Sequence, residues 1–108
     1  MQKRSAERHA VWVPVQVSGD SGEVTLGVSD DVSEGGIRIV SPVTREVGSR
    51  VEVALHFPDG TKRNVTGEVV RIEPNEDPDG LFPHRVAVAF SEPIAGLEPL
   101  LEEVESLT

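Results

Sequence analysis

Hydrophobic and polar residues alternate over much of the first ninety positions, which is the pattern of half-buried β-strands. The clearest run is 11–17, Val-Trp-Val-Pro-Val-Gln-Val, where every second residue is a valine. A strand at this position places its four valines on one face, which we expect to be core. Pro14 lies on the opposite face and cannot donate a ladder hydrogen bond, so we expect an edge or an irregularity there.

The same pattern continues into a second and a third strand. Residues 23–29 predict a strand with Val24, Leu26 and Val28 facing inward. A tight turn is predicted over 31–36, and a third strand over 37–40.

A fourth strand with Val51, Val53, Leu55 and Phe57 inward is followed by the turn sequence Pro58-Asp59-Gly60. Asp-Gly predicts a tight hairpin, because it supplies the positive φ that a two-residue connection requires. The fifth strand is therefore expected to run antiparallel to the fourth, from 62 or 63 to 72. Its pattern does not decide which face is core, and Gly67 is a candidate bulge position.

The remaining third of the chain contains one loop, one strand and one helix. Residues 73–83 carry three prolines and a glycine and are predicted to be the least regular part. Residues 85–90 predict a sixth strand, and apolar residues at helical spacing predict a C-terminal α-helix over about 93–107. Six short strands and one helix indicate a mostly β fold, a small antiparallel barrel.

Length and composition restrict the functions that this chain can have. Its 108 residues suit one domain, and the absence of cysteine excludes disulfides, thiolate metal sites and a cysteine nucleophile. A net charge of −9 argues against general DNA or RNA binding. No apolar run approaches a membrane span or a secretion signal, so we expect a cytoplasmic location.

Two motifs stand out from this background. Arg4 and Arg8 form an R-x-x-x-R pattern before the first strand, and Asp31, Ser33 and Gly36 form a D-x-S-x-x-G pattern before the third. In this order and setting, the chain resembles the PilZ family over nearly its whole length. One departure is Ala87, where many members carry a glycine in the last strand.

The resemblance implies a six-stranded antiparallel PilZ-like β-barrel with a C-terminal α-helix, which binds cyclic di-GMP and relays its level to a protein partner. It divides the chain into a flexible arm, 1–10, and a barrel domain, 11–108. The implied ligand-binding residues are Arg4, Arg8, Asp31, Ser33 and Gly36, with Lys3, His9 and Gly35 as auxiliary candidates. No metal and no further cofactor is implied.

The chemistry of these residues suits that ligand. A guanidinium can bind the O6 and N7 acceptors of guanine, stack on the base or neutralise a phosphate, which are tasks for Arg4 and Arg8. Asp31 can accept hydrogen bonds from guanine N1 and N2, and Ser33 can bind base or phosphate. Gly35 and Gly36 are expected to permit positive φ and a sharp turn. We expect the arm to become ordered over the bound ligand.

Several alternatives remain open from the sequence. The arginines could form a plain solvated tail, and residues 31–36 an ordinary turn. The protein could also be a PilZ-like adaptor that binds proteins and no nucleotide. We expect no enzyme, because the three histidines are dispersed and neither a nucleophile motif nor a metal-ligand pair is visible.

Overall fold

The computed structural model describes residues 11–20, 22–76 and 79–92. These residues form an antiparallel barrel that closes in the order β1-β2-β3-β6-β5-β4. Its strands are β1 (Pro14–Gly19), β2 (Val24–Ser33), β3 (Gly36–Ser41), β4 (Arg50–His56), β5 (Lys62–Pro74) and β6 (His84–Phe90). All six predicted strands are thereby confirmed. The predicted C-terminal helix lies outside the described residues.

The core consists of aliphatic side chains on the inner faces of the strands. The predicted inward faces of the first and fourth strands are confirmed: Val11, Val13, Val15, Val17, Val51, Val53, Leu55 and Phe57 are all buried. Pro14 is the first residue of β1 and is exposed. That position requires no ladder donor from the proline nitrogen, so the barrel can close around it.

The predicted inward face of the second strand is wrong. Val24 and Leu26 are exposed, whereas Ser29 and Val32 are fully buried. A β-bulge at Asp30, where the pairing of β2 with β3 shifts register, then changes which positions face inward. Because the extra residue reverses the alternation, odd positions face inward before Asp30 and even positions after it.

A second bulge explains why the sequence could not assign the faces of β5. Its pairing with β6 shifts register between Val69 and Arg71, so the bulged residue is Val70 and not Gly67. Val69 is buried before the bulge, and Ile72 packs against the core after it. An alternating pattern with one such interruption appears apolar on both faces.

The predicted hairpin between β4 and β5 is confirmed, but its loop has three residues and not the two that were expected. Phe57 N donates to Thr61 O over 2.8 Å, and Gly60 N donates to Phe57 O over 3.0 Å. Gly60 has φ of 92°, the conformation that a glycine bulge after a β-turn requires. The loop between β5 and β6 is closed by a 2.8 Å bond from Asn75 N to Pro83 O. Within the described residues, no helix is long and apolar enough to cross a membrane.

Candidate functional site

The D-x-S-x-x-G motif occupies the hairpin between β2 and β3. Asp31 and Ser33 belong to β2, and Gly36 begins β3 opposite Ser33. The turn is therefore shorter than the predicted one and contains only Glu34 and Gly35. Ser33 Oγ accepts a 3.3 Å hydrogen bond from Gly35 N, so the serine also stabilises its own turn.

The bulge at Asp30 determines where the two polar motif residues point. Since Val32 is completely buried, its neighbours Asp31 and Ser33 lie on the outer face of the barrel. These two residues therefore share a face, as alternation along an extended strand requires. Asp31 pairs across the ladder with Arg38 of β3, which places a carboxylate and a guanidinium on adjacent strands.

The expectation that Gly35 and Gly36 adopt positive φ is wrong. Positive φ among the described glycines occurs at Gly22, Gly48 and Gly60, not at Gly35 or Gly36. A Cβ atom on Gly36 would instead lie 2.7 Å from the carbonyl oxygen of Val88 in β6. Gly36 is thus required by the close approach of two backbones, whereas a Cβ on Gly35 would meet open space.

Beside the motif lies an open groove of about 430 Å³ on the outer surface of β3, β6 and β5. Ser33, Gly35 and Gly36 lie at one end, and Val70 and Arg71 lie on the β5 side. Ala87 and Ala89 of β6 lie between, so the floor carries small side chains. Among the described lining residues the charged ones are Arg38 and Arg71, each of which is paired with a carboxylate outside the lining, Asp30 and Glu73 respectively.

The bulged residue Asp30 organises the cations next to this groove. Arg38 Nε donates to Asp30 Oδ1 over 2.9 Å, and Arg85 Nε lies 3.6 Å from Asp30 Oδ2. The hydrogen bond that Arg38 donates to Asp30 is the main reason that the pKa of Arg38 is raised above its ordinary value. Arg38 is charged, as arginine always is in proteins, and its Nε is oriented by Asp30.

The structure describes four of the eight predicted ligand-binding and auxiliary residues. Ser33, Gly35 and Gly36 line one end of the groove, and Asp31 lies two positions before Ser33 on the same face of β2. Arg4, Arg8, Lys3 and His9 lie outside the described residues. Sequence analysis missed Arg38 and Arg71. Arg38 was detectable, because strand alternation places it on the face of Gly36, but the bulge at Val70 concealed the face of Arg71. No cluster of metal-ligating side chains occurs in the described ranges.

Comparison with known families decides the relationship that the motifs suggested. The sequence pattern of the PilZ domain matches residues 2–104. The chain belongs to the PilZ family. A comparison with curated proteins finds no match.

Solved structures of PilZ proteins share the fold at low sequence identity. Bacillus subtilis MotI/DgrA, described as an inhibitor of motility, superposes with a TM-score of 0.73 at 21% identity over 99% of this chain and 52% of that one. The PilZ domain of Escherichia coli YcgR, solved with c-di-GMP, superposes with a TM-score of 0.67 at 13% identity, over 98% of this chain and 88% of that one. The PilZ domain of CeSA from a cellulose-synthesising bacterium superposes with a TM-score of 0.62 at 20% identity, over 94% of this chain and 97% of that one. This chain thus spans about half the length of MotI/DgrA and nearly all of the isolated domains.

Proposed function

We propose that this protein is a receptor for cyclic di-GMP that performs no catalysis and passes the second-messenger level to a protein partner. The observation that carries the proposal is the position of Ser33 at the end of a groove whose charged lining is arginine, with Asp31 on the same outer face of β2. The solved PilZ domain of YcgR contains c-di-GMP, which supports the choice of ligand.

The groups at the groove complement such a ligand. The Asp31 carboxylate accepts hydrogen bonds and suits guanine N1 and N2, which are donors. The Ser33 hydroxyl accepts from Gly35 N, and its proton stays available for a phosphate or base acceptor. The small residues Gly36, Ala87 and Ala89 let a flat ligand approach the sheet closely.

Charge also favours this location for a small dianion. The chain carries −9 overall, so most of its surface repels an anion. Arg38 and Arg71 provide the local attraction within the described groove. Arg4 and Arg8 of the R-x-x-x-R motif add two guanidinium groups, which we assign to the guanine O6 and N7 edges and to phosphate.

The decisive experiment is calorimetric titration of cyclic di-GMP into the wild type, Arg8→Ala and Asp31→Ala, with GTP as the control ligand. We expect saturable binding by the wild type, a loss of roughly tenfold or more in each variant, and no binding of GTP. Lys62→Ala, a substitution of an exposed β5 residue outside the groove, is the matched control.

Absence of wild-type binding would reject the receptor and favour a PilZ-like adaptor that acts through protein contacts alone. Turnover of the nucleotide by the pure protein would contradict the non-catalytic assignment.

We further propose that binding orders residues 1–10 and so creates the surface that the partner recognises. Amide hydrogen exchange in this segment should slow at saturating ligand. An exchange rate that ligand leaves unchanged would exclude this mode of signalling while leaving the receptor assignment intact.

A further inference from the structure

We propose that Arg38 and Arg71 are additional ligand-binding residues that hold one phosphodiester of the cyclic dinucleotide between them, above Ala87. This inference rests on the proposed function and extends the site from the β2–β3 hairpin across β6 to β5. Neither arginine belongs to the R-x-x-x-R or D-x-S-x-x-G motif.

The register of the sheet places the two arginines symmetrically. Arg38 of β3 and Arg71 of β5 are both paired with Ala87 of β6, one from each side. Two strand spacings separate their Cα atoms, which corresponds to about 10 Å. The side chain between them is a single methyl group, so the space above Ala87 is open to a ligand.

A carboxylate orients each arginine through the same nitrogen. Arg38 Nε bonds to Asp30 Oδ1 at 2.9 Å, and Arg71 Nε lies 3.0 Å from Glu73 Oε2. In the described part of the chain, the terminal Nη groups of both residues make no further hydrogen bond or ion pair. Each arginine therefore retains N–H donors for an acceptor in the groove.

The position of the donors favours a phosphodiester over a base. A phosphodiester has two non-bridging oxygens, so guanidinium groups on opposite sides can each bind one of them. Guanine places O6 and N7 on a single edge, which one arginine satisfies completely. The bulge at Val70 brings Arg71 to the outer face and thereby makes the two-sided arrangement possible.

Titration of cyclic di-GMP into Arg71→Ala, Arg38→Ala and the control Arg50→Ala tests the inference. Arg71 is a suitable first target because its side chain is 66% exposed, and its removal should leave the barrel intact. Arg50 is an exposed β4 arginine outside the groove. We expect each groove variant to bind roughly tenfold more weakly and Arg50→Ala to remain within about twofold of the wild type.

Salt dependence separates phosphate contacts from base contacts. Between about 50 and about 300 mM NaCl the wild-type affinity should fall more steeply than that of either groove variant, since a charge–charge contact is screened. If the variants lose the same factor in affinity at every salt concentration, the arginines bind a base edge, and the phosphate assignment is overturned. Wild-type binding with both variants within twofold of it would overturn the inference alone, whereas failure of the wild type to bind would remove the proposed function with it.

Discussion

The hydroxyl of Ser29 donates a 2.7 Å hydrogen bond to the carbonyl oxygen of Val11, 18 positions earlier. The same hydroxyl accepts a 2.9 Å bond from Val13 N, and Ser29 N donates to Val13 O. A fully buried serine thus fixes the backbone of 11–13 beside β2. Since residues 1–10 directly precede this segment, Ser29, two positions from Asp31, holds the point at which they join the barrel.

Ser29→Ala should destabilise the fold by about 1–3 kcal/mol, because it removes the buried partner of Val13 N–H and of the Val11 carbonyl. Equilibrium denaturation in urea measures the change. Ser49→Ala, which deletes an exposed hydroxyl bonded to Glu46 O, should change stability by less than about 0.5 kcal/mol. Equal effects of the two substitutions would contradict a special role for Ser29.

Gly36→Ala should destabilise the barrel by about 1–3 kcal/mol, because its Cβ would lie 2.7 Å from the carbonyl oxygen of Val88. Thermal and urea denaturation provide the measurement. Gly35→Ala is the matched control, since its Cβ would meet open space. A Gly36→Ala protein as stable as the control would refute the packing argument. If Gly36→Ala is destabilised as expected, any loss of ligand binding in this variant is explained by distortion of the barrel and not by a lost ligand contact.

The strands were predictable from the sequence wherever their alternation is uninterrupted. β1 and β4 keep a strict period of two, and their inner faces were assigned correctly. β2 was assigned the wrong face because its alternating apolar residues Val24 and Leu26 are exposed, and Asp30 then adds one residue to the ladder that no side-chain pattern marks. A bulge depends on pairing with a distant strand, so a local pattern cannot locate it.

The site shows the same division between local and tertiary information. Asp31 and Ser33 were found because they lie within one short motif and two positions apart. Arg38 and Arg71 are 33 positions apart and become neighbours of Ala87 only through the order β3-β6-β5. Sheet order is a tertiary property, and the local sequence pattern does not predict it.

Asp59 makes the stability of the β4–β5 hairpin depend on pH. The backbone N–H of Thr61, 2.8 Å from Asp59 Oδ1, is the main reason that the pKa of this carboxyl is lowered from 3.8. Because the pKa of Asp59 is lower in the folded state, its ionised form stabilises the fold at pH values above the ordinary pKa. This contribution is lost as the pH falls through the lowered pKa. The difference in stability between wild type and Asp59→Asn should therefore diminish below about pH 4. Urea denaturation from pH 2 to 7 measures it, and a pH-independent difference would refute the assignment.

Asp30 connects the stability of the barrel with the groove, because one carboxylate of 14% exposure contacts both Arg38 and Arg85. Asp30→Ala should cost about 2 kcal/mol, the value of a charge-assisted hydrogen bond that is partly shielded from water. Glu73→Ala breaks the exposed ion pair with Arg71 and should cost less than about 0.5 kcal/mol. Urea denaturation of the two variants measures this contrast.

Asp30 should also influence ligand affinity, but only through Arg38, whose Nε it holds. Asp30→Asn is expected to weaken cyclic di-GMP binding in the wild type and to have no further effect in an Arg38→Ala background. A double-mutant cycle of dissociation constants measures this coupling. Additive effects would mean that Asp30 acts on the ligand independently of Arg38, and the carboxylate would then not be a positioning residue.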